Sequence, residues 1–321
     1  MLNLLRTLLL CLAALGLCAL PLRAAAAPRI ALVYNGGQDV FQQFAEALSP
    51  LLRAQGLGLE HHDTRNWRDG VPPATLAEAD LLIAAGAESL ALLARKPPDT
   101  PVLAVLLSRQ QFEQHQTAFA GRALSAIYQD PPIRRQLQLA KLLLPGLSRV
   151  GYLYQPVERQ QLAIPQRAAE ALSLKLIAQP VPSENDLPSA LVSVIGQSEL
   201  LLASANSGLY NRYTIKTILT AAYRQEKVLI GSSPAFVKAG SLATTYSSVQ
   251  HIAVQVHEWI TTLPDSGPIN LPPAGYARYF DLSLNPDVAR SLDIRLPDND
   301  TLLKALTAAE RANEAAGVEH E

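Results

Sequence analysis

Short apolar runs recur along the chain, and small or polar residues follow each of them. Residues 29–34 form the first run, which ends at Asn35-Gly36-Gly37, and residues 80–85 end at a glycine in the same way. Runs of about four to eight apolar residues between turn residues are typical of strands that are covered on both faces. The pattern predicts strands at residues 29–34, 57–60, 80–85, 101–107, 126–128, 149–154, 174–178, 200–203, 228–230, 242–246 and 278–284.

Between many of these runs the apolar residues take up helical spacing. Phe41, Phe44 and Leu48 repeat in this way after the first strand, and Ile215 and Ile218 do so later in the chain. Such residues share one face of a helix, which predicts helices that pack against a sheet. Helical segments are expected around residues 41–52, 90–94, 133–144, 159–172, 187–195, 215–222, 249–263, 288–292 and 301–318.

Strands and helices alternate over nearly the whole chain, which indicates an α/β protein with parallel sheets. The opening order of strand, polar loop and helix at residue 29 returns at residue 149. The chain therefore divides into two similar halves. Two lobes of strand–helix–strand units with one cleft between them are the simplest architecture for this pattern.

Hydroxyl, amide, carboxylate, tyrosine or glycine groups stand where the predicted strands end. The carboxyl ends of parallel strands lie along one rim of an open sheet, where ligands bind. The sequence therefore predicts a ligand-binding rim in each half. The candidate residues are Tyr34, Asn35, Gly86, Glu88, Ser89, Ser108, Tyr128 and Asp130 in the first half, and Tyr154, Ser204, Asn206, Tyr210, Ser232 and Tyr246 in the second.

The charged and backbone groups of this rim each have two interpretations. The segment from Gly86 to Ser89 opens a predicted helix, whose free N–H groups and positive dipole end suit a carboxylate or another anion. Alternatively, Glu88 or Ser89 only caps that helix. Asp130 can pair with a ligand amine, or it can stabilise the start of the helix that follows it.

The uncharged groups are also open to two interpretations. Four tyrosines at strand ends favour a cleft that clamps an apolar or aromatic ligand, while each tyrosine alone is ordinary strand-edge packing. They are Tyr34, Tyr128, Tyr154 and Tyr246. Ser204 and Asn206 offer neutral donors and acceptors to a ligand, or they are ordinary loop residues.

The N-terminus has the order of a secretory signal peptide. Arg6 precedes an apolar run over residues 7–20, and the alanines at 24–27 follow it. The alternative is a membrane anchor, but the run is short for a span of about 20 residues. We expect cleavage after Ala25 or Ala26. Because Cys11 and Cys18 both precede that point, the mature chain would have no disulfide and no thiol nucleophile.

Length and charge narrow the classes of function. A chain of 321 residues allows about two domains, and 49% hydrophobic residues suffice for a large core. A formal net charge of −1, with scattered cations, argues against a nucleic-acid footprint. The chain has no phosphate-binding Gly-rich loop, no dinucleotide fingerprint, no nucleophile elbow and no zinc-protease helix. We therefore expect neither a metal nor another cofactor, and no catalysis.

A set of motifs in the second half resembles a known family. They are the segments at residues 128–131, 135–137, 150–154, 209–212, 230–233, 238–243, 246–248 and 280–285. In this order they are similar to the ABC transporter substrate-binding proteins, a group with the type I periplasmic binding protein fold. The resemblance covers most of the chain after about residue 125. Related sequences often carry Pro-Asp-Pro where this chain has Ala205-Asn206-Ser207, so a carboxylate is missing here.

The resemblance implies an organisation of two Rossmann-like lobes with parallel sheets and a multi-strand hinge. Residues 1–26 would be the signal peptide, and residues 27–130 with about 247–280 would form lobe 1. Residues 131–246 would form lobe 2, and residues 281–321 a hinge return and C-terminal segment. The protein would be periplasmic, most simply a monomer, and would deliver a small amino-acid-like or aromatic ligand to an inner-membrane ABC permease.

Two other functions remain open from the sequence. The altered segment 205–207 is compatible with a module of the same fold that senses a ligand or binds a partner and signals to a membrane receptor. An α/β enzyme with an unrecognised site is the third hypothesis. It is the weakest of the three, because no nucleophile–base pair or metal set is visible in the sequence.

Overall fold

A computed structural model describes residues 27–264 and 267–315. The predicted signal peptide, with both cysteines, lies outside these residues, as does the end of the last predicted helix. The strands are β1 (Ile30–Tyr34), β2 (Leu59–Asp63), β3 (Leu81–Ala85), β4 (Val102–Leu107), β5 (Leu124–Tyr128), β6 (Arg149–Tyr154), β7 (Lys175–Pro180), β8 (Leu200–Leu202), β9 (Val228–Ile230), β10 (Ala243–Tyr246), β11 (Gly275–Tyr276) and β12 (Asp281–Leu284).

Helices connect most of these strands. They are α1 (Asp39–Arg53), α2 (Ala87–Arg95), α3 (Arg109–Gln116), α4 (Ile133–Leu143), α5 (Ala163–Glu170), α6 (Leu187–Gln197), α7 (Ile215–Arg224), α8 (Pro234–Ala239), α9 (Val249–Ile260), α10 (Pro286–Ser291) and α11 (Asn299–Ala315). Short 3₁₀ segments join some of them, among them Pro156–Leu162.

The strands form two sheets of similar order. The first runs β11-β5-β4-β3-β1-β2 and is parallel throughout, and the second runs β12-β10-β9-β8-β6-β7. In the second sheet β12 pairs with β10 in the antiparallel direction, and the other pairs are parallel. The α/β class predicted from the alternation of strands and helices is confirmed.

Both faces of each sheet are covered by helices. In β1, Ile30 and Leu32 pack against α1 and α9, while Ala31 and Val33 pack on the opposite side with Leu90 of α2. This arrangement explains why the strands appear as unbroken apolar runs in the sequence. In the second sheet α4, α5 and α11 cover one face, and α6 and α7 cover the other.

Within the described residues the chain passes between the sheets three times. It does so between β5 and α4, between β10 and α9, and between β11 and β12. Gln136 of α4 ties this region together. Its amide donates to the carbonyl of Gly231 at 2.6 Å and accepts from the backbone N–H of Thr245 at 2.9 Å. A buried glutamine with these bonds fixes α4 to the ends of β9 and β10.

A buried ion pair fixes the third crossing. Arg135 is 2% exposed, and its guanidinium donates to Glu310 of α11 at 2.9 Å and to the carbonyl of Ala277 at 3.3 Å. The same guanidinium lies 4.0 Å from the centroid of the Phe280 ring. The C-terminal helix is therefore connected to the segment that links the two sheets.

Some elements differ from the prediction. The strand β2 spans Leu59–Asp63, whereas the sequence predicts a strand at residues 57–60. Neither β11 nor α3 was predicted. In α3 only Phe112 is buried, so the helix shows no apolar periodicity. The alanine-rich and charged composition of the C-terminal segment suggests a surface helix, but α11 buries Leu302 and Leu306 against the second sheet.

Candidate functional site

The carboxyl ends of β5, β8 and β9 face a gap between the two sheets. Asp130, Ser204 and Ser232 follow these strands and line a cavity of about 100 Å³, which we call the acidic cavity. Both halves of the chain contribute to it. Its lining is Arg109, Gln110, Glu113, Asp130, Pro131, Ile133, Gln136, Tyr152, Glu158, Gln161, Ile164, Pro165, Leu202, Ala203, Ser204, Ala205, Asn206, Ser232 and Tyr276.

A β-bulge at the end of β4 determines where α3 begins. Leu106 has a φ of +56°, a left-handed conformation that is uncommon for a residue with a side chain. Ser108 then caps α3, because its Oγ accepts from the N–H of Gln111 at 3.2 Å while the Gln111 amide oxygen accepts from the Ser108 N–H at 2.9 Å. The N–H of Arg109 donates to Asp130 Oδ1 at 2.9 Å. The start of α3 is thereby held against the end of β5.

The guanidinium of Arg109 is directed at groups of the first lobe. Its Nε donates to Glu113 Oε1 at 2.7 Å. Burial opposes the charge on Arg109, but its interactions with Glu113 and with the Tyr276 hydroxyl outweigh burial, so the pKa of Arg109 is raised. Burial is also the main reason that the pKa of Tyr276 is raised.

Asp130 lies at the centre of the cleft and is half-buried. Burial raises the pKa of Asp130 to about 6, although the N–H and the guanidinium of Arg109 act in the opposite direction. The nearby Glu113 carboxylate adds to the rise. This carboxyl group therefore changes its charge close to neutral pH.

The opposite wall belongs to the second sheet. The amide of Asn206 donates to Gln155 Oε1 at 3.1 Å, and Glu158 Oε2 accepts from the N–H of Gln155 at 2.8 Å. Tyr152 and Ser204 both line this wall, and burial is the main cause of the raised pKa of Tyr152. The loop after β8 and the segment after β6 are thus linked through Gln155.

Two hydrogen bonds cross from one lobe to the other beside the cavity. The amide of Gln110 donates to Glu158 Oε1 at 3.4 Å, and the amide of Gln161 donates to Glu113 Oε2 at 3.2 Å. We call them the mouth pairs. Each side contributes one glutamine and one glutamate, three residues apart on α3 and on Pro156–Leu162. Such bonds between a neutral amide and a carboxylate hold the two walls together.

A second cavity of about 450 Å³ adjoins the first. It shares Asp130, Ala205 and Ser232 with the acidic cavity. We call it the serine cavity, after the hydroxyl groups in its lining. That lining is Ser108, Gln111, Gln129, Asp130, Ala205, Ser207, Tyr210, Ser232, Ser233, Pro234, Phe236, Tyr246, Ser247, Ser248 and Val249.

The structure brings half of the candidate site residues to these two cavities. The acidic cavity is lined by Asp130, Ser204, Asn206 and Ser232. The serine cavity shares Asp130 and Ser232 and adds Ser108, Tyr210 and Tyr246. The others lie outside both linings. They are Tyr34, Asn35, Gly86, Glu88, Ser89, Tyr128 and Tyr154.

The start of α2 is occupied by neighbouring protein groups. Gly86 has a φ of +83°, and a Cβ at this position would lie 2.3 Å from the ring of Phe41. The carboxylate of Glu88 accepts from the amide of Asn35 at 2.7 Å, and Ser89 is fully buried. A ligand at this helix start would have to displace these contacts.

The tyrosines outside the cavities pack within the lobes. Tyr128 is 7% exposed and lies edge-on to Tyr276, with ring centroids 5.3 Å apart. Tyr154 is buried in the core of the second lobe, and Tyr34 lies edge-on to His61 at 6.1 Å. Of the four strand-end tyrosines, Tyr246 is therefore the one that lines either of these two cavities.

Several lining residues had no counterpart in the sequence prediction. Arg109, Gln110 and Glu113 lie on the unpredicted helix α3, and Glu158 and Gln161 lie just after β6. The glutamine and glutamate of each segment, Gln110 with Glu113 and Glu158 with Gln161, are three residues apart, and this repeated spacing is visible in the sequence. Tyr276 and Tyr152 were missed as well, since neither stands at the end of a predicted strand.

The described part of the chain offers no group of three or more His, Cys, Asp or Glu side chains placed to hold a metal ion. In the same residues, no helix combines the length and the apolar character needed to cross a membrane.

Comparison with known proteins places these features in context. The model of the ABC transporter substrate-binding protein family matches residues 78–308. Among solved structures, a substrate-binding protein with adhesive properties from Clostridium difficile, in its ligand-free open form, aligns with a TM-score of 0.66 at 14% identity, covering 85% of this chain and 97% of that one. A conserved domain protein from Vibrio cholerae aligns with a TM-score of 0.57 at 16% identity, covering 87% and 98%.

A third similar structure is an ABC domain in complex with L-Trp from Streptococcus pneumonia. It aligns with a TM-score of 0.55 at 17% identity, covering 87% of this chain and 98% of that one. At these identities the structural matches establish the fold alone. None of the curated proteins compared with the chain matches it.

Proposed function

This chain belongs to the ABC transporter substrate-binding protein family, and we propose that it is the periplasmic solute-binding component of an ABC importer. It binds a small amino-acid-like or aromatic molecule in the cleft between its lobes and does no chemistry on it. The observation that carries the proposal is the acidic cavity, which residues of both sheets line together at the carboxyl ends of their strands.

The lobes follow the three crossings of the chain. In this proposal residues 27–130 with about 247–280 form lobe 1, residues 131–246 form lobe 2, and the following segment returns to the hinge. Because only a few segments connect them, the two lobes can close as rigid units about a hinge. A ligand that contacts both lobes stabilises the closed form, so binding shifts the population from open to closed.

Three features favour an amino-acid-like or aromatic solute. Tyr152 and Tyr276 line the acidic cavity, and Asp130 presents a carboxyl group there. The similar ABC domain from Streptococcus pneumonia holds L-Trp. Delivery to an inner-membrane ABC permease, action as a monomer and export by the segment at residues 1–26 belong to the same proposal.

Thermal-shift screening of the purified protein over the amino acids and aromatic metabolites tests this function. A true ligand at a hundredfold excess over its Kd stabilises the folded state by about 2.7 kcal/mol, which raises Tm by several degrees. The shift should vanish in Ser204→Trp, which fills the acidic cavity, and persist in Ser291→Trp on the exposed end of α10. Equal shifts in both variants, or no shift from any compound, would contradict the proposal.

Uptake separates transport from sensing. Cells that lack the gene should lose uptake of the identified ligand and regain it with the wild-type gene but not with Ser204→Trp. Unchanged uptake, together with a lost transcriptional or chemotactic response, would point to a sensor of the same fold instead.

A further inference from the structure

We propose, on the basis of the binding function above, that the solute carries a positively charged nitrogen group, an ammonium or a guanidinium, and that Glu113, Asp130 and Glu158 hold it in the acidic cavity.

The charges of the lining are unbalanced. Three carboxyl groups, on Glu113, Asp130 and Glu158, face one guanidinium, on Arg109. Arg109 is already paired with Glu113 at 2.7 Å. A closed cleft excludes water, so an anionic solute would bring more negative charge into a site that cannot screen it.

The lining also has more free hydrogen-bond acceptors than free donors, which again favours a cation. Each nitrogen-bearing side chain of the lining donates to a protein acceptor, and these side chains are Arg109, Gln110, Gln136, Gln161 and Asn206. Each carboxylate, in contrast, has about four sites that can accept a hydrogen bond. The cavity therefore offers acceptors to a solute that brings donors, and an ammonium group brings three.

The aromatic part of the lining suits a cation too. Two tyrosines, Tyr152 and Tyr276, belong to the lining of the acidic cavity. The face of a tyrosine ring attracts a cation within about 6 Å of its centroid.

The sizes of the two cavities suggest how a larger solute would lie. The acidic cavity measures about 100 Å³, less than the serine cavity. In this proposal the charged head group occupies the smaller cavity. The rest of the solute extends past Asp130, Ala205 and Ser232 into the serine cavity of about 450 Å³.

Pairs of similar compounds that carry or lack one positively charged nitrogen group test the proposal by calorimetry at pH 7.5. The probes are arginine against citrulline, tryptophan against indole-3-propionate, and tyramine against 4-ethylphenol, within a broad panel of small metabolites. No member that lacks the charged group is bulkier than its partner. The charged member of at least one pair should bind, and removal of its positive charge should weaken binding at least about tenfold. A best ligand that carries no positively charged nitrogen would overturn the proposal while leaving the binding function intact.

Charge variants provide the second arm. Glu158→Gln and Glu113→Gln keep the shape of the side chain and should each weaken binding of the best probe about tenfold. Glu170→Gln at the exposed end of α5 is the matched control and should bind as the wild type does. Unchanged affinity in both cavity variants would overturn the proposal. A panel in which no compound binds would instead refute the solute-binding function itself.

Discussion

The mouth pairs make a specific prediction about the equilibrium between open and closed forms. Gln110→Ala with Gln161→Ala removes both donors that cross the cleft and leaves Glu113 and Glu158 in place. The two glutamates on facing walls then lack these amide partners. We expect the ligand-free protein to shift toward the open form.

The size of this shift follows from the geometry. A hydrogen bond contributes about 0.5–1.5 kcal/mol net, and long bonds at a partly exposed site lie at the lower end. The two bonds measure 3.4 and 3.2 Å. Their loss should cost about 1 kcal/mol in total, which lowers the ratio of closed to open molecules about fivefold.

Pulsed electron–electron double resonance between two spin labels measures the populations of the open and closed forms. Both cysteines of the chain precede residue 27, so in a protein that begins at residue 27 cysteines introduced at Val71 and Val192 are the only labelling sites. Both positions are exposed. The double variant should show a larger population at the longer distance. The control Gln114→Ala with Gln160→Ala changes two exposed glutamines on the same segments and should match the wild type. Identical distance distributions in all three proteins would refute the reasoning.

Three further changes have predictable effects on stability, each measured by urea unfolding. Gly86→Ala should lower the free energy of unfolding by at least about 2 kcal/mol, because a left-handed φ and a contact of 2.3 Å with an aromatic ring both penalise the Cβ. Arg135→Ala should cost about 3–5 kcal/mol, since it removes the cation paired with Glu310 at 2.9 Å in a buried site. Asp130→Asn should raise stability at neutral pH. A carboxyl whose pKa is raised to about 6 in the folded state makes the wild type lose stability as pH rises from about 4 to about 6, and the amide removes that dependence.

Matched controls separate these effects from general damage. Gly56→Ala also has a positive φ but meets nothing within 4 Å, so it should cost at least about 1 kcal/mol less than Gly86→Ala. Arg290→Ala breaks an exposed pair and should change stability by about 0.5 kcal/mol or less. The stability gained by Asp130→Asn over the wild type should grow from about pH 4 to about pH 6, and a constant difference over that range would contradict the account of Asp130.

The sequence was sufficient for the fold because the strands of buried parallel sheets carry their own signal. Ile30, Ala31, Leu32 and Val33 are all apolar since helices cover both faces of β1. The elements that were missed lack such a signal. In α3 only Phe112 reaches the core, and β11 is two residues long.

The site was harder to predict because its residues meet only after the lobes form. Gln110 and Glu158 are 48 positions apart and follow strands of different sheets. A strand-end rule finds Asp130, Ser204 and Ser232, which stand on the rim itself. It cannot find side chains that reach the rim from a neighbouring helix, nor tell that Phe41 covers Gly86.

Strand β11, which pairs with β5, comes almost 150 residues later in the chain, and this order affects how the chain can fold as it is synthesised. The edge of β5 receives its partner only when Tyr276 has emerged, and α1 is covered by α9 only after residue 260. The first lobe to be translated is consequently among the last to be finished. A nascent chain of 250 residues still exposes an open strand edge and an apolar helix face, the kind of surface that chaperones cover before folding is complete.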